Sequence, residues 1–258
     1  MLDTVNDALR VLELLGEHGK IAVKDIATEL RCSRSSAYRI VRTLQDRGWM
    51  VEARFGTYEL GPRATALGLL AAARPSLRDV ALPVMRKLVE RFDETVTLSV
   101  LLGRERVCID QIESPKEIRM TVRIGQPYPL YAGGSGKAIL MALADDLRAA
   151  YLRDVPRRRL TPNTLVERRA LERSLAENRA RGYVVSVAER DPEAFAVAAP
   201  IVDRNGVVGA IALCGPVSRW QAASAERYGP AVRDAAAQIS AQLGATAEPG
   251  RRRRATSP

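Results

Sequence analysis

The chain has 258 residues, with 40 Lys and Arg against 30 Asp and Glu and a formal net charge of +10. At ~100–200 residues per domain, this length accommodates one large domain or two modest ones. Hydrophobic residues at 47% and charged residues at 27% form an ordinary globular composition, which excludes a disordered or collagen-like chain.

Residues 4–16 carry Val5, Leu9, Leu12 and Leu15 at helical spacing, with Ala8, Val11 and Leu14 widening the apolar face. Gly19 supplies a left-handed stop after His18. A short second helix over 23–30 presents Val23, Ile26, Ala27 and Leu30. Ser33 is a good N-cap for a third helix that runs to about Arg47 and ends at Gly48. WMVEA and TYEL around Arg54-Phe55-Gly56 read as a β-hairpin. Helix, helix, turn, helix and hairpin in about sixty residues make a winged helix-turn-helix, assigned to 1–62.

Pro62 opens a further helix and Pro75 stops it, giving a linker helix at 63–75. RATALGLLAAAR is apolar nearly all round, which a lone surface helix does not tolerate, so it is expected to pack against a second subunit. An effector-binding domain is assigned to 76–245. Its expected elements are a helix over 77–92 and strands ETVTLSVLL, ERVCIDQIES and EIRMTVRIG. Helices follow near 134–144, 145–152 and 166–181, then strands YVVSV, AFAVAAPIVD and GVVGAIALC, and a last helix over 231–243. Hairpin-joined strands with helices between them give an α+β fold with a mainly antiparallel sheet. EPGRRRRATSP reads as a disordered basic tail over 246–258.

No apolar run approaches the ~18 residues of a membrane span, and the N-terminus has acids where a signal peptide has a basic region. A cytoplasmic protein without membrane contact is therefore expected. Cys32, Cys108 and Cys214 are far apart and form no CxxC, and His18 is the only histidine. These features argue against disulfides, a metal site or a Ser/His or Cys/His catalytic set. No catalytic residue and no cofactor is expected.

The net charge is unevenly placed. Residues 1–62 contain nine Lys and Arg and nine Asp and Glu, yet residues 31–47 hold five Arg against Asp46 alone. In the third helix Ala37, Ile40, Val41 and Leu44 form the buried stripe. The opposite face carries Arg34, Ser35, Tyr38, Arg39 and Arg42. The helix spans about 22 Å at ~1.5 Å per residue, enough to lie across a major groove. Ser33, Arg34, Ser35 and Ser36 offer hydroxyls, cationic charge and free N–H groups suited to phosphates. Arg39 and Arg42 suit guanine edges, where a guanidinium bonds O6 and N7 together. Double-stranded operator DNA is the expected partner.

With these residues in view, the chain resembles the IclR family of bacterial transcriptional regulators over nearly its whole length. The motifs are DIATELRCSRSSAYRIVRTLQDRGWM, YELGPRATALG, VCIDQIES, IGQPYPLYAGGSGKAILMA, LTPNTL with RARGYVVS, and AVAAPIVDRNGVVGAIALCGPVSR. The resemblance implies a homodimer or homotetramer and a GAF-like C-terminal domain that binds a small metabolite. By position it implies an effector pocket lined by Met120, Tyr128, Gly134, Ser135, Ser186, Ala196, Ala212 and Cys214.

The glycine-rich turn in PLYAGGSGKAIL runs into a helix, so the Gly134 and Ser135 N–H groups can face an anion. It is not a phosphate loop, because Tyr131 and Ala138 stand where GxxxxGK[ST] needs Gly and Ser or Thr. A carboxylate-bearing metabolite fits it better than a nucleotide. Ser186, Ala212 and Cys214 suggest a pocket of low polarity, favouring an aromatic or longer-chain acid. Arg31 stands where the family usually has Gly, which implies strain of ~1 kcal/mol if its φ is positive. Asp110 and Glu113 alternate with apolar residues and are expected to face solvent, while Cys108 is expected to be buried. Arg157, Arg158 and Arg159 are expected in an exposed loop.

The expected function is a ligand-responsive repressor that binds a pseudo-palindromic operator as a dimer or tetramer. Two alternatives remain open here: a regulator that answers to a partner protein alone, and a small-molecule enzyme in the C-terminal domain.

Overall fold

The computed structural model describes residues 3–72, 77–221 and 223–244. The tail at 246–258 and the helix stop at Pro75 lie outside the described residues. The chain forms two compact units, within Met1–Ser76 and within Leu77–Pro258.

The first unit contains α1 (Asp3–His18), β1 (Ile21–Ala22), α2 (Val23–Glu29), α3 (Arg34–Asp46), β2 (Met50–Glu52), β3 (Thr57–Leu60) and α4 (Pro62–Ala72). Ser33 caps α3, its Oγ accepting from the Ser36 N–H at 3.1 Å. Leu14 and Leu15 from α1, Ile26 from α2 and Ile40 and Val41 from α3 close one core over Met50 and Tyr58. Each comes from the apolar stripe of its element, as helical periodicity leads one to expect. Val5 and Leu9 were expected in that stripe, but both are more than half exposed and the buried core begins at Val11. The hairpin of β2 and β3 gains a third strand, β1, through Ile21↔Tyr58 and Ala22↔Thr57. Two residues are too short to show a period of two, so β1 was not legible in the sequence.

The second unit opens with α5 (Leu77–Phe92), followed by β4 (Thr95–Leu102), β5 (Glu105–Ile112) and β6 (Pro127–Pro129). It continues with α6 (Gly134–Ala142), α7 (Asp145–Asp154), α8 (Arg168–Arg181), β7 (Val184–Val187), β8 (Ala194–Asp203), β9 (Gly206–Pro216) and α9 (Ser224–Gln242). All six strands form one antiparallel sheet in the order β6-β5-β4-β9-β8-β7. The large residues Phe195, Val197, Ile201, Ile211 and Leu213 turn to one face and pack with Met85 and Leu88 of α5 and Val232 and Ile239 of α9. The alternate positions Ala198, Ala210, Ala212 and Cys214 turn to the other face, under α6. Small side chains on that face let α6 lie close to the sheet. A Cβ on Gly134 would stand 2.9 Å from the Ala196 Cβ.

Four expectations for this unit are corrected. Residues 117–125 form no strand. The place beside β5 is taken by β6, and 117–125 loops out, held by Thr95 Oγ1 donating to the Met120 carbonyl (2.7 Å) and the Val122 N–H donating to Gln111 Oε1 (2.8 Å). Its alternating apolar residues have no sheet to face, and Ile118 and Ile124 are exposed. Asp110 does not face solvent; it is buried, with Oδ2 2.7 Å from Arg78 Nε. The last helix begins at Ser224, not near Ala231, and carries Pro230 inside it. Cys108 is fully buried, as expected. Arg158 and Arg159 are exposed, whereas Arg157 is half-buried and donates to the Leu152 and Val166 carbonyls.

Candidate nucleic-acid interface and effector cavity

The outward face of α3 presents Arg34, Ser35, Ser36, Tyr38, Arg39 and Arg42, all exposed. The Ser33 hydroxyl lies 2.8 Å from Ser35 Oγ and 2.9 Å from Ser36 Oγ, so three hydroxyls gather at the helix N-terminus, where N–H groups lack intrahelical partners. Ser33 caps the helix through its Oγ and is itself exposed. Arg42 lies 3.9 Å from Asp46, an exposed pair of little energetic weight. Among the described residues no carboxylate pairs with Arg39. Phe55, at the hairpin tip beside Arg54, is 99% exposed with φ +63°; sequence reasoning gave it no role.

The second unit holds a partly open cleft with about 40 Å³ of free interior space. Strand register builds one wall: Ser186, Ala196 and Cys214 pair across β7, β8 and β9 in a single row, which puts them on one face. The N-terminus of α6 supplies another wall through Gly134 and Ser135, and Met120 closes a third side from the 117–125 loop. Gly133, just before α6, has φ +83°, a conformation glycine adopts without penalty. Six of the eight residues expected at the pocket therefore meet at one cavity. The other two do not line it. Ala212 is fully buried in the next cross-strand row, paired with Thr97 and Ala198. Tyr128 stands behind the wall, its ring faced by Arg106 at 5.0 Å and by Arg190 at 4.6 Å.

The cavity is more polar than Ser186, Ala212 and Cys214 suggested, because Thr97, Arg106, Glu189 and Arg190 also line it. Arg106 is 5% exposed and donates to Ser99 Oγ at 3.2 Å, while its Nε has no hydrogen-bond partner. Burial, then the nearby Arg190, brings the Arg106 pKa down to about 10. The folded state is thus destabilised by this charge at every pH below about 10, and the penalty lifts only above it. Burial pushes the Cys214 thiol up and the Cys108 thiol up to about 11, so both stay neutral. Lys137 of α6, 1% exposed, forms a buried ion pair with Glu189. The turn that carries Glu189 is braced from behind, with Thr164 Oγ1 donating to the Glu189 carbonyl (2.7 Å) and Thr161 Oγ1 to the Ala188 carbonyl (2.6 Å). LTPNTL thus has a structural task.

Among the described residues no three of His, Cys, Asp and Glu gather as a metal site, and no helix is long and apolar enough to cross a membrane. The IclR helix-turn-helix domain matches residues 4–53, and the bacterial transcriptional regulator IclR C-terminal domain matches 70–241. The transcriptional repressor AllR of Escherichia coli is 32% identical over 243 residues, which cover 93% of this chain and 89% of that one. The chain belongs to the IclR family of bacterial transcriptional regulators.

An IclR regulator from a Silicibacter species has the same fold at a TM-score of 0.86, with 26% identity and coverage of 95% and 98% of the two chains. An IclR homologue from Microbacterium hydrocarbonoxydans, complexed with 4-hydroxybenzoate, superposes at a TM-score of 0.78, with 26% identity and coverage of 93% and 98%. IclR-family proteins are regulators and not enzymes, and the expected α+β fold and DNA-binding class hold for this one. Sequence reasoning missed Arg106, Glu189 and Arg190. Arg106 sits in an ordinary strand, and only the sheet register turns it toward α6.

In the first unit Arg31 has a φ of +51°, in the left-handed region. Its N–H still donates to the Thr28 carbonyl at 3.2 Å, so the turn is kept at the expense of backbone strain. Arg31→Gly is expected to raise the stability of the first unit by up to roughly 0.5 kcal/mol, the relief of strain exceeding the added chain entropy. Urea denaturation of wild type and variant checks this; a destabilised variant would show that Arg31 makes a compensating contact.

Proposed function

We propose that this IclR-family protein is a repressor that binds a pseudo-palindromic operator as a dimer or tetramer and is modulated by a small organic acid. In this reading 1–62 reads DNA, 63–75 links, 76–245 binds the effector, and the tail at 246–258 adds basic charge. Arg34, Ser35 and Ser36 contact phosphates, Tyr38, Arg39 and Arg42 face the major groove, and Ser33 fixes the angle of α3. Paired α3 helices would sit about 34 Å apart or a multiple of it. Leu67, Leu69 and Leu70 of α4 are exposed in the single chain, which supports burial of this helix against a second copy.

The observation that carries the effector reading is the cavity, where a helix N-terminus and an arginine without a carboxylate face one space. The apolar part of its wall, Met120, Val122 and Ala196, favours an aromatic or longer-chain acid over a very small hydrophilic one. The 4-hydroxybenzoate complex of the Microbacterium relative supports an acid of this kind. The acid acts by binding the DNA-competent and DNA-incompetent states with different affinity.

Ser135 is buried at the mouth of α6 and lines the cavity, so Ser135→Trp fills it. Operator affinity should stay within about twofold of wild type, while the acid that releases wild type from DNA loses its effect. That acid is first found by a thermal-shift screen of carboxylic acids, then tested by fluorescence anisotropy on operator DNA. Unchanged release in Ser135→Trp would show that the pocket lies elsewhere. A screen in which no small molecule shifts the Tm would favour the regulator that answers to a partner protein alone.

A further inference from the structure

Three buried side-chain atoms lack a hydrogen bond among the described residues: Arg106 Nε, Glu189 Oε2 and Asp110 Oδ2. The last lies 2.7 Å from Arg78 Nε and is paired by charge. The other two both line the cavity and are chemical opposites, a cationic donor and an anionic acceptor. Burying either kind of group without a partner is costly, and native interiors rarely keep one. Two in one cavity mark places where a ligand supplies the missing partner.

Neither atom can satisfy the other through its own neighbours. Glu189 is held by Lys137 through Oε1, which leaves Oε2 open, and the bracing threonines bind the Glu189 backbone carbonyl, not its carboxylate. Arg106 is held by Ser99 through Nη1 and by the Tyr128 ring, contacts that fix the guanidinium and leave Nε open. The remaining charged groups at the cavity do not change this. Arg190 stacks on the far guanidinium partner Tyr128, and Asp191 Oδ1 accepts the Glu193 N–H of its own turn at 3.0 Å.

We propose that Arg106 and Glu189 are specificity-determining residues for a bifunctional effector, a hydroxy acid whose carboxylate is held by Arg106 and whose hydroxyl donates to Glu189 Oε2. The inference rests on the effector reading above and narrows it. A planar guanidinium suits a carboxylate, and a carboxylate oxygen without a donor suits a hydroxyl. Both atoms are covered by neighbouring groups, so binding includes a local rearrangement of the lining. Water does not reach them, so an analogue lacking either group leaves a buried polar atom unmatched and is rejected strongly.

The test is calorimetry on the full chain with two matched trios: 3-hydroxybenzoate, benzoate and 3-hydroxybenzamide, and 3-hydroxybutanoate, butanoate and 3-hydroxybutanamide. In at least one trio the hydroxy acid should bind ten-fold or more tighter than the acid without hydroxyl and than the amide. Arg106→Met should abolish the preference for acid over amide, and Glu189→Leu combined with Lys137→Met the preference for hydroxyl. Arg106→Met should also leave the ligand-free Tm unchanged or raised, because it removes an unmatched buried charge. A lowered Tm together with full acid preference in Arg106→Met would make Arg106 structural and overturn the proposal. Equal affinity for benzoate and its hydroxy acid, and likewise for butanoate, would overturn it while leaving the effector reading intact. If no acid of either trio or of the wider carboxylate screen binds wild type, both readings fall.

Discussion

Lys137→Met is expected to lower the stability of the second unit by about 3–5 kcal/mol, the usual loss when one partner of a buried ion pair is removed. Lys137 and Glu189 are 1% and 7% exposed, and Glu189 already has one carboxylate oxygen without a hydrogen bond. Without Lys137 the whole carboxylate is left unmatched inside the protein. The double variant Lys137→Met with Glu189→Leu should recover most of the loss, since an apolar pair of similar volume is often neutral against a buried ion pair. Denaturant titration followed by the fluorescence of Trp220, packed 5.0 Å from the Phe195 ring, reports this unit. A loss below ~1 kcal/mol in the single variant would mean that Glu189 finds another donor or takes up a proton. The pair ties α6 to the turn that carries Glu189 and Arg190, so the single variant should also blunt any effector response.

Arg39→Ala is expected to weaken binding to the specific operator by ~1–3 kcal/mol, about 5- to 150-fold, and to relax the preference for the base it contacts. Arg39 is exposed on the outward face of α3 and has no carboxylate partner among the described residues, so its guanidinium is free to reach a guanine edge. Arg34, at the N-terminal turn, should behave differently: Arg34→Ala weakens binding about equally on every sequence and lowers the salt slope by about 1. Operators selected from a random duplex pool, followed by anisotropy titrations on selected and scrambled DNA at several salt concentrations, separate the two. A uniform loss in Arg39→Ala would reassign it to the phosphate backbone.

Much of the reader was legible because its signals are local. Ser33, Gly48 and Pro62 are start and stop residues whose action needs no tertiary partner, and α3 begins and ends within a residue of the expected bounds. β8 runs over Ala194–Asp203 as the alternation of AFAVAAPIVD required. The failures share another cause. EIRMTVRIG has the alternation of a strand, but a strand exists only where a neighbour offers its edge, and β6 holds that edge. Asp110 alternates as a solvent-facing residue would, yet it is buried and paired with Arg78 of α5. A single strand shows which residues share a face and not what lies over that face.

The total charge of +10 contributed little. The arginines proposed to face DNA belong to a unit with as many acids as bases, and the proposal rests on their standing on one face of one helix. By itself the sequence determined the helix and strand periods, the caps, the exposed basic face of α3 and the glycine-rich turn into α6, because each depends on residues a few positions apart. The tertiary structure alone decided the chemistry of the cavity. Arg106 and Glu189 lie 83 positions apart in the chain and are brought to one space by sheet register and by the close approach of α6. Burial then makes their missing partners costly, and burial is a property of the packed fold that no local pattern contains.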